Sequence, residues 1–319
     1  MLALILLASL YMGWNIGAND AANCVGADIG SGEMTLKQGI FITSLFGLLG
    51  ALFFGSRVTK TIGRGIIPLH QLDPSLSLLV ALIASLSAAI WVTFSTFRKI
   101  PVSTSQSIVG AVAGSGLAIG VTVAWRKLLD IVICWVLTPL SGALIAFILY
   151  FILKNVFLKV IPQRFQRRII RSLIFLTSMY LAFNWGANDV ANSTGLIIGS
   201  GILSSPLATL IGGLAIVIGI YTWGYRVIET VGFRITRLLP LMTVAVEMAS
   251  AINVNLFTLW GIPVSTSQSI VGAVCGVGLF TGERILNKKL VGEIAFTWLI
   301  TPLVSGIIAF ILLCIFTKF

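Results

Sequence analysis

Charge is what this sequence lacks. Among 319 residues only 10% are charged, while 57% are hydrophobic. A soluble domain of this size needs a far more polar surface, so that class is excluded. Histidine is nearly absent too: His70 is the only one and lies in a polar loop outside every motif, where a lone imidazole is solvated. The four cysteines (Cys24, Cys134, Cys275 and Cys314) have no metal-ligand spacing, and most fall inside apolar runs, as small core residues do. A net charge of +11 would suit a nucleic-acid binder. The Lys and Arg residues, however, sit between apolar runs instead of forming a face, so they read as topology signals and imply no nucleic-acid partner.

What is present is apolar length. Mean hydropathy is +1.05, and runs of about 18 to 26 residues, enough to cross a bilayer, lie near 1–16, 36–56, 75–97, 102–120 and 128–153. A second series lies near 172–185, 205–223, 238–260, 264–280 and 290–316. The runs are continuous, without the alternating polarity of a barrel strand, so they predict helices. The first run lacks a basic start and leads directly into a motif that recurs later, so it is kept as a span and not as a signal peptide.

The two series carry the same polar motifs. Pro101-Val102-Ser103-Thr104-Ser105-Gln106-Ser107-Ile108-Val109-Gly110-Ala111-Val112 recurs unchanged as Pro263 to Val274. Gly17-Ala18-Asn19-Asp20 with Asn23 recurs as Gly186-Ala187-Asn188-Asp189 with Asn192. The chain is one membrane unit written twice, and the four motifs read as two halves of one site.

Asn19-Asp20 and Asn188-Asp189 stand inside apolar segments, where a carboxylate is costly and marks a substrate or ion path. The surrounding Gly and Asn residues predict an interrupted helix with freed carbonyls, although a single Gly is as well explained by close packing. In the other motif, Pro suits a first helical turn, and the hydroxyls after it either cap that turn or face a ligand. Such a helix start presents unpaired N–H groups and the positive end of the macrodipole, an anion site that needs no basic side chain. Glu247, inside the run 238–260 where the first half has Ser85, is left with three roles: cation ligand, proton carrier or partner of a neighbour. Trp135 and Thr138-Pro139-Leu140 return as Trp298 and Thr301-Pro302-Leu303, as packing and kink residues.

The densest basic stretch, Lys154, Lys159, Arg164, Arg167, Arg168 and Arg171, joins the halves and predicts a cytoplasmic linker. The domains are therefore a first membrane repeat at 1–155, a linker at 156–170 and a second repeat at 171–319. Five crossings per repeat with an outside N-terminus put most of the Lys and Arg on the inside, among them Lys37, Arg98, Lys99, Arg226, Arg234, Arg237, Arg284, Lys288 and Lys289. Re-entrant stretches at 102–120 and 264–280, with four crossings per repeat, separate the charges less well. The odd count makes the repeats inverted. The expected fold is all-α: a polytopic membrane protein of two inverted-topology repeats of about five segments each, with broken helices or hairpins at the centre.

These four motifs resemble the inorganic phosphate transporter (PiT) family, which includes sodium–phosphate symporters, and the resemblance covers nearly the whole chain. It implies a secondary transporter in the plasma membrane, with outside termini, importing phosphate with Na⁺ as a homodimer. No cofactor and no enzymatic activity are implied. By that resemblance Asp20, Ser103, Thr104, Ser105, Gln106, Asp189, Ser265, Thr266, Ser267 and Gln268 correspond to phosphate ligands. The Na⁺ ligands are expected among Asn19, Asp20, Asn23, Asn188, Asp189, Asn192 and Glu247. Two departures stand out: the glutamate that many relatives carry in the second span of each repeat is missing near Gly47 and Ile216, and Ser-Gln replaces Thr-His at Ser105-Gln106 and Ser267-Gln268. Both remove proton-titrating groups and favour Na⁺ over H⁺. The alternatives are an H⁺-coupled phosphate or metal–phosphate symporter and, more distantly, a cation–proton exchanger. A channel would not accumulate its substrate, and a serine enzyme would lack a base.

Overall fold

The computed structural model describes residues 1–98, 100, 102–230, 238–282 and 288–317. Pro101 of the first motif and the topology residues Lys99, Arg234, Arg237 and Arg284 lie outside the described residues. Among the described residues all regular structure is helical. The principal helices of the first half are α1 (Leu2–Gly30), α2 (Leu36–Phe54), α3 (Pro74–Phe97), α4 (Thr104–Ala118) and α5 (Trp125–Ile152). Those of the second half are α6 (Gln163–Gly199), α7 (Ser205–Gly219), α8 (Pro240–Leu259), α9 (Thr266–Thr281) and α10 (Lys288–Thr317). After Gly55, α2 is followed by a short helix, Ser56–Lys60, and a π-helical turn, Thr61–Gly65, while α7 runs directly into a π-helical turn, Ile220–Gly224. Among the described residues, seven helical stretches are long and apolar enough to cross a membrane.

Local chemistry starts these helices where it should. Thr35 and Gln38 form a reciprocal capping box at α2, and proline occupies the first turn of α3, α7 and α8. Between α5 and α6 the only non-helical residues are Ile161 and Pro162. The basic linker is therefore itself helical, and Arg164 to Arg171 form the first turns of α6.

Two expectations are corrected here. The Gly-Asn-Asp segments are not interrupted: α1 and α6 run straight through them for 29 and 37 residues. The polar side chains are accommodated without opening the backbone. The Asn15 and Asn184 amides each donate to the carbonyl four residues back, Tyr11 and Tyr180. The motif glycines serve close approach instead: a Cβ on Gly17 would lie 1.9 Å from the Ile216 carbonyl oxygen, and one on Gly186 would lie 1.9 Å from that of Gly47.

The fourth segment of each half is also too short for a crossing of its own. With 15 residues, α4 is about 22 Å long, short of a hydrocarbon core of about 30 Å. It returns to the end of the bundle that α3 left: the Ala124 N–H after α4 donates to the Ile66 carbonyl before α3. Helices α3 and α4 thus form a hairpin with its tip at residues 98–103. Helices α8 and α9 form the equivalent hairpin, and Phe280 at the far end of α9 packs edge-on against Tyr150 at the end of α5. Charge counting missed this because it assigned Arg98 to a loop, whereas Arg98 caps α3 at the hairpin tip.

Each hairpin is gripped by the opposite half. A Cβ on Gly110 of α4 would lie 2.2 Å from the Pro302 oxygen of α10, and one on Gly272 of α9 would lie 2.1 Å from the Pro139 oxygen of α5. The Gly-rich stretches behind the motifs therefore let the hairpins press backbone to backbone on the proline-containing helices. Leu140 and Leu303, on the outer faces of those helices, are more than 60% exposed, as apolar side chains facing lipid are.

Candidate functional site

The hairpin tips meet between α1 and α6. Ser103 and Ser265 are the N-caps of α4 and α9, and their hydroxyls accept the N–H of Gln106 and Gln268. Their capping role is thus occupied by the protein itself. The next residues turn toward the carboxylates. Thr104 Oγ1 donates to Asp20 Oδ2 at 2.7 Å, and Ser105 Oγ lies 3.3 Å from Asp189 Oδ1 and 3.0 Å from the Val264 carbonyl of the other tip. Asn192 Nδ2 lies within 3.3 Å of Thr104 Oγ1, Ser105 Oγ and Asp189 Oδ1. Asn23 Nδ2 lies 3.4 Å from Asp20 Oδ1. Asp20 and Asp189, from the two halves, therefore belong to one hydrogen-bonded cluster.

Asn19 and Asn188 hold the tips in place. The Asn19 amide donates to Thr96 Oγ1 at 2.8 Å and to the Ile100 carbonyl at 3.3 Å, and its oxygen accepts the Val102 N–H at 3.0 Å. Asn188 repeats this with Thr258, Ile262 and Val264 at 2.8, 3.3 and 3.3 Å. An irregular turn inside a membrane bundle exposes backbone groups that water cannot reach. Each asparagine supplies the missing partners.

The halves are not identical in detail. Ser267 pairs with Ser265 at 2.8 Å instead of crossing to Asp20. Four buried polar atoms in the cluster have no hydrogen-bond partner: Gln106 Oε1, Gln268 Oε1, Thr266 Oγ1 and Asn192 Oδ1. Every residue of both motifs from Ser103 to Gln106 and Ser265 to Gln268 is buried, as are Asp20, Asn23, Asp189 and Asn192. Among the described residues no Lys, Arg or His is buried. The centre is thus rich in oxygen and hydroxyl groups, bears two carboxylates and holds no basic side chain.

Glu247 lies in a second group. Its Oε2 accepts from Thr177 Oγ1 at 2.6 Å and sits 3.2 Å from Ser178 Oγ, which in turn lies 2.7 Å from Asp28 Oδ2. Asp28 follows Asp20 by eight residues on α1, about 12 Å along the helix. One oxygen of each carboxyl, Asp28 Oδ1 and Glu247 Oε1, has no partner. Sequence reasoning passed over Asp28; the signal available was a second intramembrane carboxylate within the first motif region, and it was masked by the stronger Asn-Asp repeat.

A membrane bundle that buries a carboxylate-bearing polar centre between two inward-pointing helix starts has the build of a transporter. Comparison with known proteins places it more closely. The phosphate transporter (PHO4) family model matches residues 16–309, and the chain belongs to that family. It is 33% identical to a Pyrococcus abyssi protein bearing the name of a phosphate permease, over 98% of this chain and 96% of that one. It is 30% identical to the chloroplastic inorganic phosphate transporter 2-1 of Arabidopsis thaliana, over 98% of this chain and 72% of that one. Its fold superposes on a solved structure titled the sodium-dependent phosphate transporter with a TM-score of 0.91, at 28% identity and 99% coverage of each chain. The family is one of transporters, not of enzymes.

Proposed function

We propose that this chain imports inorganic phosphate across the cell membrane by symport with Na⁺. The observation that carries the reading is the pairing of two helix starts, Thr104–Gln106 and Thr266–Gln268, with Asp20 and Asp189 in one buried cluster. Phosphate is bound by the free N–H groups of the two first turns and by the Thr and Ser hydroxyls. Na⁺ is bound by the oxygens of Asp20, Asn23, Asp189 and Asn192. Without the cation the carboxylates repel the anion; with it they attract it, and that difference is the coupling. A carboxylate that accepts the proton phosphate still carries disfavours sulfate, which has none to give.

Asp28 and Glu247 form a second cation site in this reading, since two buried carboxyls with no basic partner require a cation or a proton. Asn19 and Asn188, expected among the Na⁺ ligands, act chiefly as clamps of the tips. The two repeats are inverted: α1 and α6 run antiparallel, with Ser9 donating to the Ser193 carbonyl toward one end and Ser178 to Asp28 toward the other. The linker at 156–170 faces the cytoplasm. Each half contributes three crossings and one hairpin, so both termini face outward.

The test is radiolabelled phosphate uptake into proteoliposomes of the purified protein, comparing an inward Na⁺ gradient with a K⁺ control carrying an inward H⁺ gradient. Accumulation with Na⁺ alone is the expected result. Accumulation with H⁺ alone transfers the coupling to carboxyl protonation at Asp28 and Glu247. Absence of accumulation under both gradients removes the symporter reading.

A further inference from the structure

The first turns of α6 carry Arg164, Arg167, Arg168 and Arg171, spaced by three, four and seven residues and therefore on one face. All four are exposed. With Ser172, Phe175 and Leu176 they line an open cavity of about 710 Å³. The placement is electrostatically unfavourable for the protein alone. The N-terminus of a helix already bears partial positive charge, and the first turn of α6 contains no acidic residue. Between Asp130 and Asp189 the chain has no carboxylate at all, and none of the four arginines makes a salt bridge with the described residues. Among the described residues, only Arg164 of the four meets an aromatic ring, 4.6 Å above Phe165.

The segment is nevertheless held firmly. Gln166 Nε2 donates to the Leu158 and Ile161 carbonyls at 2.9 and 3.1 Å, fixing the start of α6 against the preceding turn. The floor changes character along the helix: one turn past Arg171 it becomes apolar, with Phe175 half-buried and Leu176 59% exposed. Charge along the first turns of α6 and apolar side chains on the next match an amphiphile lying at the membrane boundary. A fully hydrated anion has no use for the apolar part.

We propose that the Arg164–Arg167–Arg168–Arg171 cavity binds the phosphate headgroup of an anionic phospholipid from the surrounding leaflet, with an acyl chain lying along Phe175 and Leu176. Guanidinium groups suit phosphate oxygens through paired N–H donors, and basic pockets at helix ends on the cytoplasmic side recognise lipid headgroups. The site is separate from the central cluster: it lies on the outer, N-terminal turns of α6, whereas Asp189 is 18 residues further along the same helix. The proposal does not depend on which ion drives transport.

The test uses the purified full-length protein in neutral detergent, with dioleoyl-phosphatidylglycerol, dioleoyl-phosphatidylcholine and inorganic phosphate added separately. Binding is read by native mass spectrometry and by the thermal melt. Phosphatidylglycerol is expected to bind and to raise the melting temperature, with affinity falling about fivefold for each arginine removed in the series R164Q, R164Q/R168Q and R164Q/R167Q/R168Q/R171Q. R126Q/K127Q, changed at one exposed and one half-buried residue elsewhere on the surface, is expected to bind as the unchanged protein does. If the fourfold variant fails to fold, R164Q and R164Q/R168Q decide the matter. Equal binding of phosphatidylcholine, retention of phosphatidylglycerol binding in the arginine variants, or an equal loss in R126Q/K127Q would overturn the proposal. A melt shift reproduced by inorganic phosphate alone would also overturn it, in favour of a free-anion site.

Discussion

Replacing Asn19 with alanine should loosen the first hairpin tip more than it changes ion binding. The side chain makes three hydrogen bonds, to Thr96, Ile100 and Val102. Thr96 keeps a partner after the substitution, since its hydroxyl also donates to the Val92 carbonyl. The Ile100 carbonyl and the Val102 N–H lose the partner that Asn19 supplies. A buried backbone group without a partner costs about 1–3 kcal/mol, so the two together cost about 3 kcal/mol after partial relaxation of the turn. That corresponds to an opening equilibrium about a hundredfold more favourable. The assay is amide hydrogen exchange of the purified protein in Na⁺-free buffer, followed at residues 100–106. Exchange there should accelerate about a hundredfold, with the second tip at 262–268 unaffected, and phosphate uptake should fall. Asn188→Ala should produce the mirror result through Ile262 and Val264. If Asn19→Ala left exchange at the tip unchanged without Na⁺ and only weakened Na⁺ dependence of uptake, the clamp argument would be wrong and Asn19 would be an ion ligand.

The two central carboxylates should be separable: Asp20→Asn and Asp189→Asn each remove a negative charge from the cluster and should abolish Na⁺ dependence, phosphate-over-sulfate selectivity, or both. Unchanged uptake in both variants would refute the proposed site. Gly272→Ala would place a methyl 2.1 Å from the Pro139 oxygen, costing about 1–3 kcal/mol of overpacking. Gly278→Ala, which meets nothing within 4 Å, should be silent in the same thermal melt. Asp28→Asn or Glu247→Gln should lower the Hill coefficient for Na⁺ in uptake, and an unchanged coefficient would remove the second cation site. At the surface, Asp73 caps α3 by accepting from the Ser75 N–H at 2.9 Å and from the Ser75 hydroxyl, which holds its carboxyl below the usual range. Because the folded pKa is depressed, this stabilisation is present at neutral pH and disappears as pH falls through and below about 3.9. Asp73→Ala should therefore melt lower than the unchanged protein at pH 7, and the gap should close toward pH 3.

Much of the arrangement was legible in one dimension because the chain repeats itself. Hydropathy reports burial in a bilayer residue by residue, so helix type and approximate segments follow from composition. An exact repeat of polar residues within apolar flanks marks Asp20, Asp189 and the Ser/Thr motifs without knowledge of their contacts. Capping chemistry is local as well, and the motif serines cap the helices they precede. The sequence by itself thus determined an all-helical membrane protein written twice, with its polar centre in the four motifs. Only the tertiary structure decided that the third and fourth segments fold back as hairpins, since a turn's direction depends on which helices it packs against. It also decided that Asn19 and Asn188 hold the tips and that Asp28 stands with Glu247. Hydrogen bonds among residues 69 to 159 positions apart are invisible to any local pattern, because what brings those side chains together is the packing of the hairpins against α1 and α6 and against each other's tips.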